Sequence, residues 1–416
     1  MSRTQSQLRD IALLTGPPLA RILEILNADG EEARIVGGAV RNTLIGQPVH
    51  EIDVATTALP DEVLRRAEQS GIRAVPTGID HGTVTLVVEG TPYEVTTLRE
   101  DVETYGRKAK VAFGRDWRRD AERRDFTINA LSLSRDGVVH DYVGGLADLD
   151  ARRLRFIGDA SRRIAEDYLR ILRFFRFHAA YGEGEPDPAA MHACILARDG
   201  LRSLSRERVR MELLKLMVAT RASASIRMMA DSGLLLPILG GVPYLASLER
   251  MIAIESALEQ SPDPVRRLGA LSVAITEDAE RLFERLRLSN AEHDRLRSMA
   301  DGWWRLGAET TPQQARALLY SLGALRFVDR ALLAFSRASD AATDSRWHEL
   351  IGLPSRWQPP AFPVLAADLM ARGLAQGPAL GMALRAAEAA WINEDFPSDP
   401  AAVAAIADRA AAKLRT

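Results

Sequence analysis

Hydrophobic positions near the start of the chain recur at helical spacing. Leu8, Ile11, Leu14, Leu19, Ile22, Leu23 and Leu26 fall three and four apart, and Pro17 and Pro18 begin a second set of turns, so residues 5–28 read as helical. The period then changes. RIVGGAV (34–40) is a short apolar strand closed by a glycine pair. HEIDVAT (50–56) alternates, with Ile52 and Val54 on one face and Glu51 and Asp53 on the other. TVTLVVEG (83–90) and PYEVTTL (92–98) alternate too and read as a hairpin joined by a Gly-Thr-Pro turn. Between these strands, PDEVLRRAEQSG (60–71) has proline at a helix start and glycine past its end. Residues 100–122 read as a long charged loop between two strand patterns, a length that is uncommon unless the loop is functional or disordered.

Beyond about residue 155 only helical spacing remains. ASRRIAEDYLRILRFFRFHAAYG (160–182) and SRERVRMELLKLMVA (205–219) each read as a continuous helix, and the chain from about 360 is alanine-rich and helical. The pattern predicts an α+β protein with a mixed-sheet head and an all-helical remainder. The expected division is an N-terminal helical segment (1–30), a head (31–155), a helical neck (156–245) and a C-terminal helical body and tail (246–416).

Composition narrows the class. With 416 residues, 47% hydrophobic and 26% charged, the chain has the make-up of a folded soluble protein rather than a disordered or membrane-embedded one. Its single cysteine, Cys194, excludes an intramolecular disulfide and a cysteine-cluster metal site. The start, MSRTQSQLRD, has no apolar run behind a basic cluster, so a cytoplasmic protein without a secretory signal is expected. Net charge is −2, but its distribution is uneven. Residues 152–176 carry eight arginines against Asp159, Glu166 and Asp167, and residues 202–215 carry five basic side chains against two acidic ones. Either stretch is a solvated helix face or a seat for an anionic partner.

Three carboxylates suggest chemistry. Glu51 and Asp53, two apart on a strand, share a face, and Glu94 lies in a following strand. Hard oxygen ligands on one face suit Mg²⁺, which takes one or two carboxylates plus phosphates and water. Alone, Glu-x-Asp is more often a solvated strand face. Gly37-Gly38 ends a strand before the helix that carries Arg41, a setting in which backbone N–H groups approach phosphate.

GGAVRNTLIG followed by EIDVATTALPDEV resembles the signature of the class II nucleotidyltransferases of the polymerase-beta superfamily, which include the tRNA CCA-adding enzymes and the bacterial poly(A) polymerases. HGTVTLVVEGTPYEVTTLR (81–99), RRDFTINALSL (123–133), DYVGGLADLDARRLRFIGD (141–159), EDYLRILRFFRF (166–177) and SRERVRMELLKLM (205–217) follow in the order and spacing of that family's later motifs. The likeness spans residues 34–220. Two positions depart from it: the family usually has Asp where this chain has Glu51, and often Asp where it has Asn42.

The resemblance implies a polymerase-beta-like nucleotidyltransferase head and template-independent addition of CCA to tRNA from CTP and ATP. It implies Glu51 and Asp53 as metal ligands with Glu94 as a third catalytic carboxylate, and Mg²⁺ as the metal. For nucleotide binding it implies Gly37, Gly38, Arg41, Arg124, Asp125 and Asn129, with Asp167 and Arg170 reading the base from one helix face and Arg173 and Arg176 on phosphates and primer end. Residues 100–122 match a loop needed to switch from C to A addition. The tRNA acceptor arm and 3′ end would be the partner, with no membrane. Three alternatives stay open: an ATP-only poly(A) polymerase of the same family, an enzyme that adds only CC or only A, and a non-catalytic tRNA-binding relative.

Overall fold

The first described helix, α1 (Pro17–Leu26), buries Leu19, Ile22, Leu23 and Leu26, the stripe that its spacing predicts. The structure is a computed structural model that describes residues 16–105 and 108–413, side chains at 100–111 excepted. The part of the predicted 5–28 helix before residue 16 lies outside the described residues.

The chain divides into two compact units, residues 1–238 and 239–416. The first holds a seven-stranded sheet in the order β3-β4-β5-β2-β1-β8-β9. Its strands are β1 (Ala33–Val36), β2 (Asp53–Thr56), β3 (Arg73–Gly78), β4 (Thr83–Val88), β5 (Thr91–Thr97), β8 (Ser132–Ser134) and β9 (Val139–His140). Every pair is antiparallel except β2 with β5, so the sheet is mixed. The central β1 is buried along its whole length, with Ala33, Ile35 and Val36 in apolar surroundings and Arg34 bonded to Glu32 and Tyr142. β4 alternates instead, burying Val84, Leu86 and Val88. Helix α2 (Gly38–Leu44) follows β1, and α3 (Pro60–Gln69) connects β2 to β3. Buried Arg66 of α3 donates to the carbonyls of Ile25 and Ala28 at 2.9 and 3.0 Å, satisfying acceptors at the C-terminal end of α1.

Three local expectations change. The β4–β5 hairpin turns at Glu89-Gly90, with φ of 51° and 79°, and not at Gly-Thr-Pro. Thr91 and Pro92 already pair with Val88 and Val87, because two left-handed residues match the twist of the strands they join. Glu51 precedes β2 and is not part of it. Residues 100–122 are not a loop. They contribute to a separate antiparallel pair, β6 (Arg99–Tyr105) with β7 (Lys108–Phe113), and then to α4 (Trp117–Glu122).

Helices complete the first unit: α5 (Gly145–Asp150), α6 (Ala160–Glu166), α7 (Leu169–Tyr181), α8 (Pro188–Leu196), α9 (Arg206–Met217) and α10 (Ala222–Asp231). The predicted single helix over 160–182 is broken at Asp167, which is extended (φ −157°, ψ 108°). Its carboxylate accepts the Leu169 amide at 3.1 Å, as an aspartate at a helix start does. Gly200 makes room for the break, since a Cβ there would meet the Tyr168 ring at 2.1 Å. α7 is anchored to the sheet domain through rings: Phe126 lies 4.7 Å from Phe156 and 5.5 Å from Phe177, and Phe156 lies 5.7 Å from Phe174.

The described residues of the second unit contain helices and no strand. Its interior holds an ion network rather than apolar contacts alone. Asp329, fully buried, accepts from Arg266 and Arg295, and Glu255 accepts from Arg266 and Arg267. The alanine-rich end packs closely through Ala383, Ala387, Ala407, Ala410 and Ala411, all buried. No helix among the described residues is long and apolar enough to cross a membrane.

Candidate active site

The register of three strands gathers the chemistry at one end of the sheet. Val36, the last residue of β1, pairs with Asp53, the first of β2, and Asp53 pairs in parallel with Glu94 of β5. Gly37 therefore follows β1 beside these acids. Its φ of 70° is left-handed, and a Cβ there would sit 3.3 Å from Arg124 Nη1. The Gly37 amide donates to the Leu131 carbonyl at 3.0 Å, which ties this turn to the segment before β8.

A cavity of about 770 Å³ opens here. Gly37, Gly38, Arg41, Glu51, Asp53, Arg124, Asp125, Asn129, Asp167, Arg170 and Arg173 all line it. Glu94 and Arg176 do not. Glu94 nevertheless acts on the site. The Asp53 side chain is open to water at the cavity mouth, but partial loss of hydration, then Glu94 and then Glu51 push its carboxyl above the usual range, against Arg124. An anionic cluster that disfavours its own charge suits a divalent cation. Among the described residues no three carboxylate, imidazole or thiol side chains form a complete ligand set. Such a cation would take its remaining ligands from phosphate and water, as Mg²⁺ commonly does.

The predicted basic residues are held in place, most of them by buried acids and Arg41 by amide and phenol groups. Asp120, buried, accepts from Arg123 at 2.9 Å and from Arg124 at 3.2 Å. Asp125, buried, accepts the Phe126 amide at 2.9 Å, Asn129 Nδ2 at 3.1 Å and Arg173 Nε at 2.7 Å. Burial raises the Asp125 carboxyl, but Arg173 and Asn129 outweigh it and hold it below the usual range. Arg41 is a buried residue of α2. It is 5% exposed, bonded to Asn129, Asn42 and Tyr181, and lies 3.8 Å over the Tyr181 ring. Burial pushes its guanidinium down to about 10, which leaves it charged at neutral pH. Asn42 accepts from Arg41 and Tyr181 and donates to the Pro48 carbonyl, a use for both ends of an amide. Arg173 and Arg176 both reach Glu212 of α9. One polar network thus runs from α2 through Asn129 and Asp125 to α7 and α9.

Asp167 and Arg170 do line the same cavity, but they are not on one helix face, because Asp167 precedes α7. Arg170 bonds Glu166, and Asp167 bonds Arg208. The arginine excess of 152–176 is likewise largely matched within the fold: Arg153 and Arg155 share the buried Asp148, and Arg163 pairs with Glu166.

His81, Thr83, Arg99, Arg123, Glu166, Phe177 and Arg208 also line the cavity, beyond the residues expected there. His81 and Arg208 fall inside motifs legible in the sequence, but nothing in their local pattern separates them from surface residues. Arg99 donates to the His81 carbonyl at 2.7 Å and fixes that corner.

Residues 33–155 match the Poly A polymerase head domain family, and residues 185–248 match the family described as a probable RNA and SrmB-binding site of polymerase A. The chain is 34% identical to the human mitochondrial CCA tRNA nucleotidyltransferase 1 over 392 residues, covering 91% of this chain and 87% of the relative. It is 32% identical to the CCA-adding enzyme of Latilactobacillus sakei over 383 residues, covering 91% and 94%. The fold resembles the crystal structure of the Bacillus stearothermophilus CCA-adding enzyme in complex with CTP, with a TM-score of 0.75, 26% identity and coverage of 95% and 98%. It also resembles, as a fold, the Thermotoga maritima CCA-adding enzyme, with a TM-score of 0.68, 18% identity and coverage of 99% of each chain.

Proposed function

The chain belongs to the family of CCA-adding tRNA nucleotidyltransferases, and from that premise we propose that it adds C, C and A to the 3′ end of tRNA from CTP and ATP. The observation that carries the reading is the meeting, in one cavity, of the carboxylates Glu51 and Asp53 with the acid and guanidinium of Asp167 and Arg170.

The RNA 3′-hydroxyl gives up its proton to solvent as its oxygen forms a bond to the α-phosphorus of the nucleotide, the bond from that phosphorus to the bridging oxygen breaks, and pyrophosphate leaves. Glu51 and Asp53 would hold Mg²⁺, with Glu94 beside Asp53 as the third acid. When bound, the metal supplies activation of the hydroxyl and neutralisation of the leaving group. Gly37 and Gly38 let the backbone approach the triphosphate, and Arg124 and Arg173 face it. Arg41, Asp125 and Asn129 act from behind, as the network that fixes Arg173. Arg176 is assigned to the same network through Glu212.

Asp167 and Arg170 select the base. Cytosine and adenine each present an exocyclic amine beside a ring-nitrogen acceptor, so an acid accepts from one and a guanidinium donates to the other. Uracil and guanine reverse that order and would leave buried groups unpaired. No nucleic-acid template is needed.

In this reading residues 31–155 carry the chemistry and the helical remainder, a neck (156–245) and a body and tail (246–416), holds the acceptor arm, with the basic side chains of 202–215 as candidate phosphate contacts. A-form RNA offers mainly phosphates and 2′-hydroxyls, so recognition there is by shape and charge and weakens with salt. The cytoplasm is the proposed place of action.

The test is incubation with Mg²⁺, CTP, ATP and a tRNA transcript lacking CCA, followed by sequencing of the 3′ ends. Ends that read CCA and stop support the proposal. A run of A would instead indicate a poly(A) polymerase. Binding of tRNA with no addition under any metal would indicate a relative that kept the fold and lost the chemistry.

A further inference from the structure

An acid and an arginine three residues apart at a helix start normally satisfy one another. Asp167 and Arg170 do not. Arg170 directs Nη1 to Glu166 and to the Arg163 carbonyl. Asp167 takes both terminal nitrogens of Arg208, Nη1 to Oδ1 at 3.2 Å and Nη2 to Oδ2 at 2.5 Å. Arg208 stands on α9, 41 residues along the chain, and its side chain is 19% exposed against 21% for Asp167. All four side chains line one cavity.

The consequence is steric and electrostatic. Closing Asp167 onto Arg170 would consume the acceptor edge of one and the donor edge of the other. With separate partners, both keep capacity in reserve. A carboxylate offers about four acceptor sites, and Asp167 uses two on Oδ1 (Arg208 and the Leu169 amide) and one on Oδ2 (Arg208), which leaves Oδ2 able to accept once more. A guanidinium offers five N–H donors, and the contacts of Arg170 involve only Nη1, leaving Nε and Nη2 for a ligand. The fork geometry of Arg208 also fixes the carboxylate plane, which a single-point cation cannot do.

We propose that Arg208 is a specificity-determining positioning residue, which holds the Asp167 carboxylate apart from Arg170 so that the two present separate acceptor and donor edges to the incoming base. The proposal rests on the reading of Asp167 and Arg170 as the base-selecting pair. It also removes Arg208 from the basic residues of 202–215 that are candidates for tRNA phosphate contact.

The experiment uses the full chain and a tRNA transcript lacking CCA, with kcat/KM measured for CTP and for UTP. The parent must first prefer C over U; if it does not, the base-selection reading itself fails before any variant is made. In Arg208→Ala, Asp167 is released toward Arg170. The preference for C over U should fall by about tenfold or more, through loss of C addition and gain of U addition, with tRNA affinity unchanged. Arg208→Lys keeps the charge without the fork and should lie between the two; it also serves if the alanine variant does not fold. Because Arg208 acts through Asp167, adding Arg208→Ala to Asp167→Ala should change the preference no further. An unchanged C-to-U ratio in both Arg208 variants overturns the proposal, as does a further fall in the double variant. Weakened tRNA affinity at constant selectivity would make Arg208 an RNA phosphate contact instead.

Discussion

Asp53 on β2 stands directly opposite Glu94 on β5, the one parallel pairing in the seven-stranded sheet. Residues paired in register across neighbouring strands project to the same face. Two acids on one face, with Glu51 just before β2, make a cluster whose mutual repulsion a divalent cation relieves. Asp53→Asn should therefore lower the rate of nucleotide addition on the order of 10³-fold, the scale of losing a principal electrostatic stabiliser, while tRNA binding persists. Single-turnover addition together with filter binding measures both; retained turnover would refute the metal assignment.

Glu51 lies outside the strand, so its backbone is not fixed by the ladder and the position can accommodate the longer side chain. Glu51→Asp should stay within about tenfold of the parent rate, whereas Glu51→Gln should fall toward the level of Asp53→Asn. A large gain on Glu51→Asp would show instead that glutamate is a poor ligand here. Titrating Mg²⁺ against rate for the three proteins separates the cases.

Gly37 has a φ of 70°, and a Cβ there would lie 3.3 Å from Arg124 Nη1. Gly37→Ala should raise the KM for CTP by roughly tenfold, as about 1–2 kcal/mol of backbone strain displaces the turn and the guanidinium beside it. Steady-state kinetics at saturating tRNA reports this, and an unchanged KM would remove the glycine turn from nucleotide binding.

The β6–β7 pair occupies the place where a C-to-A switching loop was expected. Replacing residues 101–111 by a short flexible link should impair addition of the final A more than addition of the two C residues. Phe113 should be kept, because a Cβ on Gly82 would lie 2.7 Å from its ring, so the two are in close contact. Rates on transcripts ending before CCA and after CC give the comparison. Equal losses in all three steps would assign the hairpin a structural role only.

Asp148 is fully buried and accepts from Thr127 at 2.6 Å, Arg153 at 2.7 Å and Arg155 at 3.0 Å. Burial raises its carboxyl, but these donors outweigh it and hold it below the usual range. The folded value lies below the unfolded one, so this stabilisation is complete above about pH 4 and is lost as pH falls through the folded value. Asp148→Asn should cost about 1–3 kcal/mol at neutral pH and less near pH 3. Urea unfolding at the two pH values measures it; an equal cost at both would remove the ionised carboxylate from the account.

The sequence by itself determined the parts that depend on neighbouring residues. Period two and period three-to-four separated the mixed sheet from the helical remainder, because burial of one face is written into local spacing. The glycine pair, the acids at 51 and 53 and the order of the motifs were legible for the same reason. Tertiary structure decided the partners. Arg173 meets Asp125 from 48 residues away and Asp167 meets Arg208 from 41, and no local pattern encodes such pairings. It also decided the break at Asp167, which apolar spacing runs straight through, since the break needs the space that Gly200 leaves for Tyr168. Apolar periodicity records which side of an element is dry. Which charge answers which is settled only when distant segments meet, because the free energy of an ion pair depends on separation and burial rather than on position in the chain.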